Sequence, residues 1–153
     1  THPTLRKAGG NYSDPVEAYA SYRSSKAGGS HVVMIADILQ LYDQFNYGES
    51  SPAAIHQFIR FLQTRSLPKH LFLIGKGLTV NYRYHRDPNQ RNLVFKDLVP
   101  TAGMPGSDML FSAGLSGIPH VGAVATGRLS ANTPADVAAY LDKVKETESS
   151  PYS

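Results

Sequence analysis

A lysine held between two glycines at the end of an apolar run is the first place in this sequence where chemistry could sit. Residues 71–77 read LFLIGKG, and open parallel sheets place ligands where such a run meets its turn. A dinucleotide fingerprint would need a third glycine where Val80 stands, and a P-loop would need Gly-Lys followed by Ser or Thr. Lys76 is therefore a ligand or interface candidate, and a tight structural turn is the favoured reading of its glycines.

Residues 80–91, VNYRYHRDPNQR, interleave aromatic and basic side chains, a mixture that can stack bases and neutralise phosphates. No second basic stripe accompanies it, so a solvated or interdomain loop is expected, and no nucleic-acid partner. Histidines at 2, 31, 56, 70, 85 and 120 show no ligand spacing. Asp37, Asp43 and Glu49 carry oxygens suited to a hard cation, yet caps and turns account for them better. No metal site and no cofactor are expected. GLSGI at 114–118 has Ile118 where a serine-hydrolase elbow needs glycine. Ser107 beside Asp108 suits a turn closed by an Asx-type hydrogen bond. With zero cysteines, disulfides, thiolate metal sites and a cysteine nucleophile are all excluded within these residues. No catalytic residue is assigned to this chain.

The elements that would position these residues announce themselves by punctuation. Asp14-Pro15, Ser51-Pro52 and Thr133-Pro134 each set a polar cap before a proline, which suits the first helical position. Asp14 and Glu17 read as a capping box, and Gly28-Gly29 as the stop of that helix. Ile55, Phe58, Ile59 and Leu62 repeat at helical spacing, as do Val137, Tyr140, Leu141 and Val144. A shorter helix is expected over DILQLYDQF, ending near Gly48. Apolar runs at 31–36, 71–75 and 120–126 suit parallel strands covered on both faces. The predicted fold is α/β, a three-layer sandwich with a mainly parallel sheet, forming one unit over 1–153. Residues 78–118 have no clear period and read as a long irregular connection, of the kind that carries function or meets another surface.

The 153 residues, 41% hydrophobic, are enough for one core. A net charge of +3 and a pI near 9.2 are too modest to name a partner. No membrane-spanning segment is expected, because no stretch approaches the roughly 18 apolar residues required. The abrupt start at Thr1 reads as a piece trimmed from something longer.

Taken in order, the blocks YDQFNYGE (42–49), SPAAIHQFIRFL (51–62), PKHLFLIG (68–75), DLVPTAGMPGSD (97–108) and ATGRLSANTPADVAAYLDKVKETE (125–148) resemble the gingipain-type cysteine peptidases. They are closest to the branch described as type IX secretion sortases of Bacteroidetes. The resemblance implies a caspase-like fold of two α/β subdomains, with the catalytic histidine in a Gly-His-Gly loop and the cysteine at a strand end. Both belong to the second subdomain, and neither motif occurs here. The chain thus resembles the first, non-catalytic subdomain, a scaffold whose partners would be the missing catalytic half and a protein or peptide substrate. Its place would be the cell envelope or exterior. Asp108 and Arg128 fit the family pattern and take a structural or interface role, with a pair across the subdomain edge as one arrangement. Lys76 departs from it, since many relatives carry aspartate there, and a lysine would repel any cation. Two rivals stand beside this reading. One is a flavodoxin-like module holding a small anion at Gly75 to Gly77; the other is a pseudoenzyme or interaction domain using 78–118.

Overall fold

A computed structural model of the chain describes residues 1–79 and 97–150. The helices stand where the polar caps place them. They are α1 (Pro15–Ser24), α2 (Ile38–Phe45), α3 (Pro52–Gln63) and α4 (Pro134–Ser149). Asp14, Asp37, Ser51 and Thr133 each accept a hydrogen bond from a first-turn N–H that the helix itself leaves unpaired. Two details differ from the sequence reading. α1 stops at Ser24, because the Ser25 N–H closes back on the Ser21 and Tyr22 carbonyls before Gly28 is reached. The reciprocal capping box forms at Thr133 and Asp136, while Glu17 turns away to Arg6.

In that box, the Asn132 and Thr133 backbone N–H groups donate to the Asp136 carboxylate at 2.9 Å each and hold its pKa below the usual aspartate range. A depressed folded-state pKa means the stabilisation is fully present above the unfolded value, about 3.9, and drains as pH falls through the lower folded one. Asp136→Asn is therefore expected to flatten the acid limb of a stability-against-pH curve in thermal melts. Its loss at neutral pH should be about 0.5–1 kcal/mol, the ordinary scale of a cap.

The described residues contain one parallel pair of strands, β1 (His70–Ile74) and β2 (Ala125–Leu129), in register from His70 opposite Ala125 to Ile74 opposite Leu129. β1 is apolar on both faces because both are covered. Leu71 and Leu73 point into a cluster with Ile38, Leu41, Ile55, Ile59 and Phe111, beneath α2 and α3. Phe72 and Ile74 point the other way, to Leu5, Val16 and Val137, beneath α1 and α4. Three layers result. α1 and α4 are further joined by Tyr22 and Arg23, which donate to Glu148 at 2.7 and 2.8 Å, and the Tyr12 hydroxyl, ahead of α1, donates to Asp142 of α4 at 2.5 Å.

The expected strands at 120–126 and 31–36 are corrected. Residues 120–123 pair back on the preceding turn, with Ala113 opposite Gly122 and the Ala123 N–H on the Ser112 carbonyl, so the ladder starts only at Ala125. Residues 31–36 have no strand partner among the described residues. Of the long irregular stretch, 80–96 lies outside the described residues. Its remainder is anchored: Val99 and Phe111, the latter on a 3-10 turn (Asp108–Phe111), are buried in the core.

Candidate functional site

Of the three candidates, the sequence placed Lys76 at the carboxyl edge of a parallel strand, and the other two, Asp108 and Arg128, meet beside it. Arg128 stands on β2 opposite Leu73. Its Nε and Nη2 donate to the two oxygens of Asp108 at 2.7 and 2.8 Å, a bidentate ion pair. Nη1 donates to the carbonyls of Gly75 and Val99 at 2.8 and 2.6 Å, and Nη2 also to that of Pro100 at 3.0 Å. A guanidinium has five N–H donors, and all five are used. The side chain is only 11% exposed, where an unpaired cation would be costly.

This saturation decides what the group can do. Arg128 has no donor left for a ligand; it fastens the end of β1, residues 99–100 and the turn at Asp108 into one body. The Asx-type turn expected at Asp108 gives way to this pair. Of Arg128's partners, the three carbonyls were invisible in the sequence. The one available signal was an arginine set inside the apolar-flanked strand ATGRL, since a cation so placed requires an acid and backbone oxygens around it.

The glycines of LFLIGKG serve the same packing. A Cβ on Gly77 would fall 2.6 Å from the Val99 carbonyl oxygen, 2.7 Å from Thr101 Cγ2 and 2.9 Å from Arg128 Nη1. Gly75 has φ +143°, and a Cβ there would meet Val99 Cγ2 at 2.7 Å. Three of the turn's amides are also committed: Gly75 N–H to Leu129, Lys76 N–H to Ala131, and Leu78 N–H to the Asp97 carboxylate at 3.0 Å. A phosphate cradle needs such amides free. The Lys76 backbone joins the brace, with its carbonyl accepting from Leu98 and Val99. Its ammonium makes no hydrogen bond or ion pair among the described residues and is not drawn to Asp108 or Arg128.

The remaining candidates take local roles. Asp37 caps α2, Glu49 closes a turn with Asn46, and His56 Nδ1 lies 3.1 Å from the Phe111 carbonyl. His31 and His70 stack edge to face. His85 and the aromatic and basic stretch of 80–91 lie outside the described residues. Among the described residues no three histidine, aspartate or glutamate side chains gather as a metal would require, and no helix is long and apolar enough to cross a membrane.

The family model for peptidase family C25 matches residues 1–153. The chain belongs to peptidase family C25. This is the gingipain family of cysteine peptidases, and the three-layer α/β arrangement of this C25 chain accords with the first subdomain of a caspase-like fold. No curated protein and no solved structure matches the chain. The C25 chain meets its family's chemistry with no cysteine anywhere in its sequence. Its sheet edge holds a brace of charge and carbonyls instead of a nucleophile.

Proposed function

We propose that this chain is the non-catalytic first subdomain of a gingipain-like peptidase of the type IX secretion sortase branch, acting at the cell envelope or exterior. The observation that carries the reading is a C25 match over residues 1–153 in a sequence without a single cysteine. Thiolate attack needs a sulfur within reach of its base, so the thioester must form on residues supplied elsewhere. The chain's part is to hold the scaffold, and its Arg128 brace keeps residues 97–108 fixed against the sheet. Met104, Met109, Leu110 and Ile118 are exposed along the same connection, and Val121 just beyond it, apolar side chains suited to the catalytic half or to substrate.

The purified chain is expected to show no cleavage of casein or fluorogenic peptides. Turnover that survives stringent purification and follows the chain through every column would overturn the reading. Reading the gene beyond Ser153 gives a second check, since a Gly-His-Gly loop and a later cysteine are expected there. An interaction domain remains the second reading, supported by the same exposed apolar residues. The anion-binding module has less in its favour, because the Gly75, Lys76 and Leu78 amides are already bonded within the protein.

A further inference from the structure

Residues 31–36 behave as a strand without a neighbour. Their side chains alternate between layers, with Ile35 in the cluster beneath α1 and α4 and Ala36 in the one beneath α2 and α3. The segment follows β1 in the same direction: His31 meets His70 at 5.9 Å, and Ile35 shares a cluster with Phe72. Yet no backbone bond joins the two, and the N–H groups of residues 32–36 find no backbone partner among the described residues. Val32 is fully exposed and Met34 is 61% exposed, an open edge of the kind proteins ordinarily cover.

One rung of a ladder is already in place at its far end. The Thr1 nitrogen donates to the Ala36 carbonyl at 2.9 Å, and the Ile38 N–H donates to the Thr1 carbonyl at 2.8 Å. Two bonds bracketing Asp37 in this way form the parallel pattern. Alternate residues of a strand turn their bonding groups to the same edge. The N–H groups of Met34 and Ala36 and the carbonyls of Val32 and Met34 therefore face the side on which Thr1 lies. The opposite edge is used differently, with the His31 N–H on the Arg23 carbonyl. Burial pushes the Thr1 ammonium down to about 6, with Arg6 and Arg128 adding to the fall and Asp37 opposing it. A peptide N–H in its place would keep the bond with no charge to desolvate.

We propose that this edge is the docking site for one further parallel β-strand, carried by polypeptide that leads into Thr1 and pairs along residues 32–36 beside β1. The face of the strand turned to α1 is apolar, because it would lie beside Val33 and Ile35. Its residues two and four before Thr1 fall opposite Ile35 and Val33. Side chains facing α1 enter an open groove of about 350 Å³ lined by Glu17, Ala20, Ser21, Ser24, Val33 and Ile35. The proposal is independent of the peptidase reading.

Two fusions test it: a valine- and isoleucine-rich strand of five residues, the length of β1, joined directly to Thr1, and a glycine-serine control of equal length. The Met34 and Ala36 amides are expected to exchange at least about tenfold more slowly in the apolar fusion, with both proteins monomeric. The natural residues ahead of Thr1, joined the same way, should match the apolar fusion. Met34→Pro in the apolar fusion should abolish protection at Ala36 while the α4 amides stay protected, which separates lost pairing from unfolding. Equal exchange in the two fusions overturns the proposal. So does protection that appears in the control and rises with protein concentration, which would assign the edge to a second copy.

Discussion

Arg128→Ala is expected to remove about 3–5 kcal/mol of stability, the cost of breaking a buried ion pair by deleting one partner. Few domains have more than 5–15 kcal/mol in hand, so the variant should be unfolded or nearly so at growth temperature. Deletion strands the Asp108 carboxylate, 21% exposed, and takes the donor from the carbonyls of Gly75, Val99 and Pro100. Arg128→Lys keeps the charge but not the planar fork, and should recover less than half of the loss. Asp108→Asn should fall between, since the three carbonyl bonds survive. Urea denaturation followed by circular dichroism measures all three, with a double-mutant cycle for the pair. An unfolding free energy for Arg128→Ala within about 0.5 kcal/mol of the parent would show that the brace is not a structural keystone.

Gly77→Ala and Gly75→Ala are each expected to cost about 1–3 kcal/mol through overpacking. Gly77 faces a backbone carbonyl, which cannot swing aside as a side-chain tip can, and Gly75 adds a backbone conformation that L residues rarely adopt. Lys76→Ala, between them, should change stability by less than about 0.5 kcal/mol, because its ammonium stands outside the brace. The contrast has a functional edge. Were the turn a phosphate site, phosphate or nucleotides would raise the melting temperature of the parent and lose that effect in Lys76→Ala. The expected outcome is no such shift in any of the four proteins, measured by differential scanning fluorimetry.

The brace also gives physical content to a scaffold role. Residues 97–111 leave the strand edge and return to the core at Phe111 with little regular structure, and such a segment would ordinarily open locally at small cost. Here Val99 and Phe111 are buried, and Arg128 binds the span between them at three points, two carbonyls and one carboxylate. A surface presented by this segment, including Met104, Met109 and Leu110, is therefore held in place before any partner arrives, which lowers the ordering cost of association.

The sequence by itself determined the helices, because their signals are local. A cap followed by proline, and apolar side chains three and four apart, act within one or two turns, and Asp14, Ser51 and Thr133 needed no distant partner to be legible. It also determined the apolar character of β1 and, through a resemblance carried by ordered blocks of residues, the family. Tertiary structure alone decided where the strands pair and what the glycines are for. Residues 31–36 and 71–75 look alike as sequence, yet among the described residues only β1 has a partner strand, because a strand is completed by a chain remote from it. Asp108 and Arg128 lie 20 residues apart with nothing local to join them. Their union, and the close approach of Val99 to Gly77, exist only once the sheet and its covering layers bring separate segments within a few ångströms.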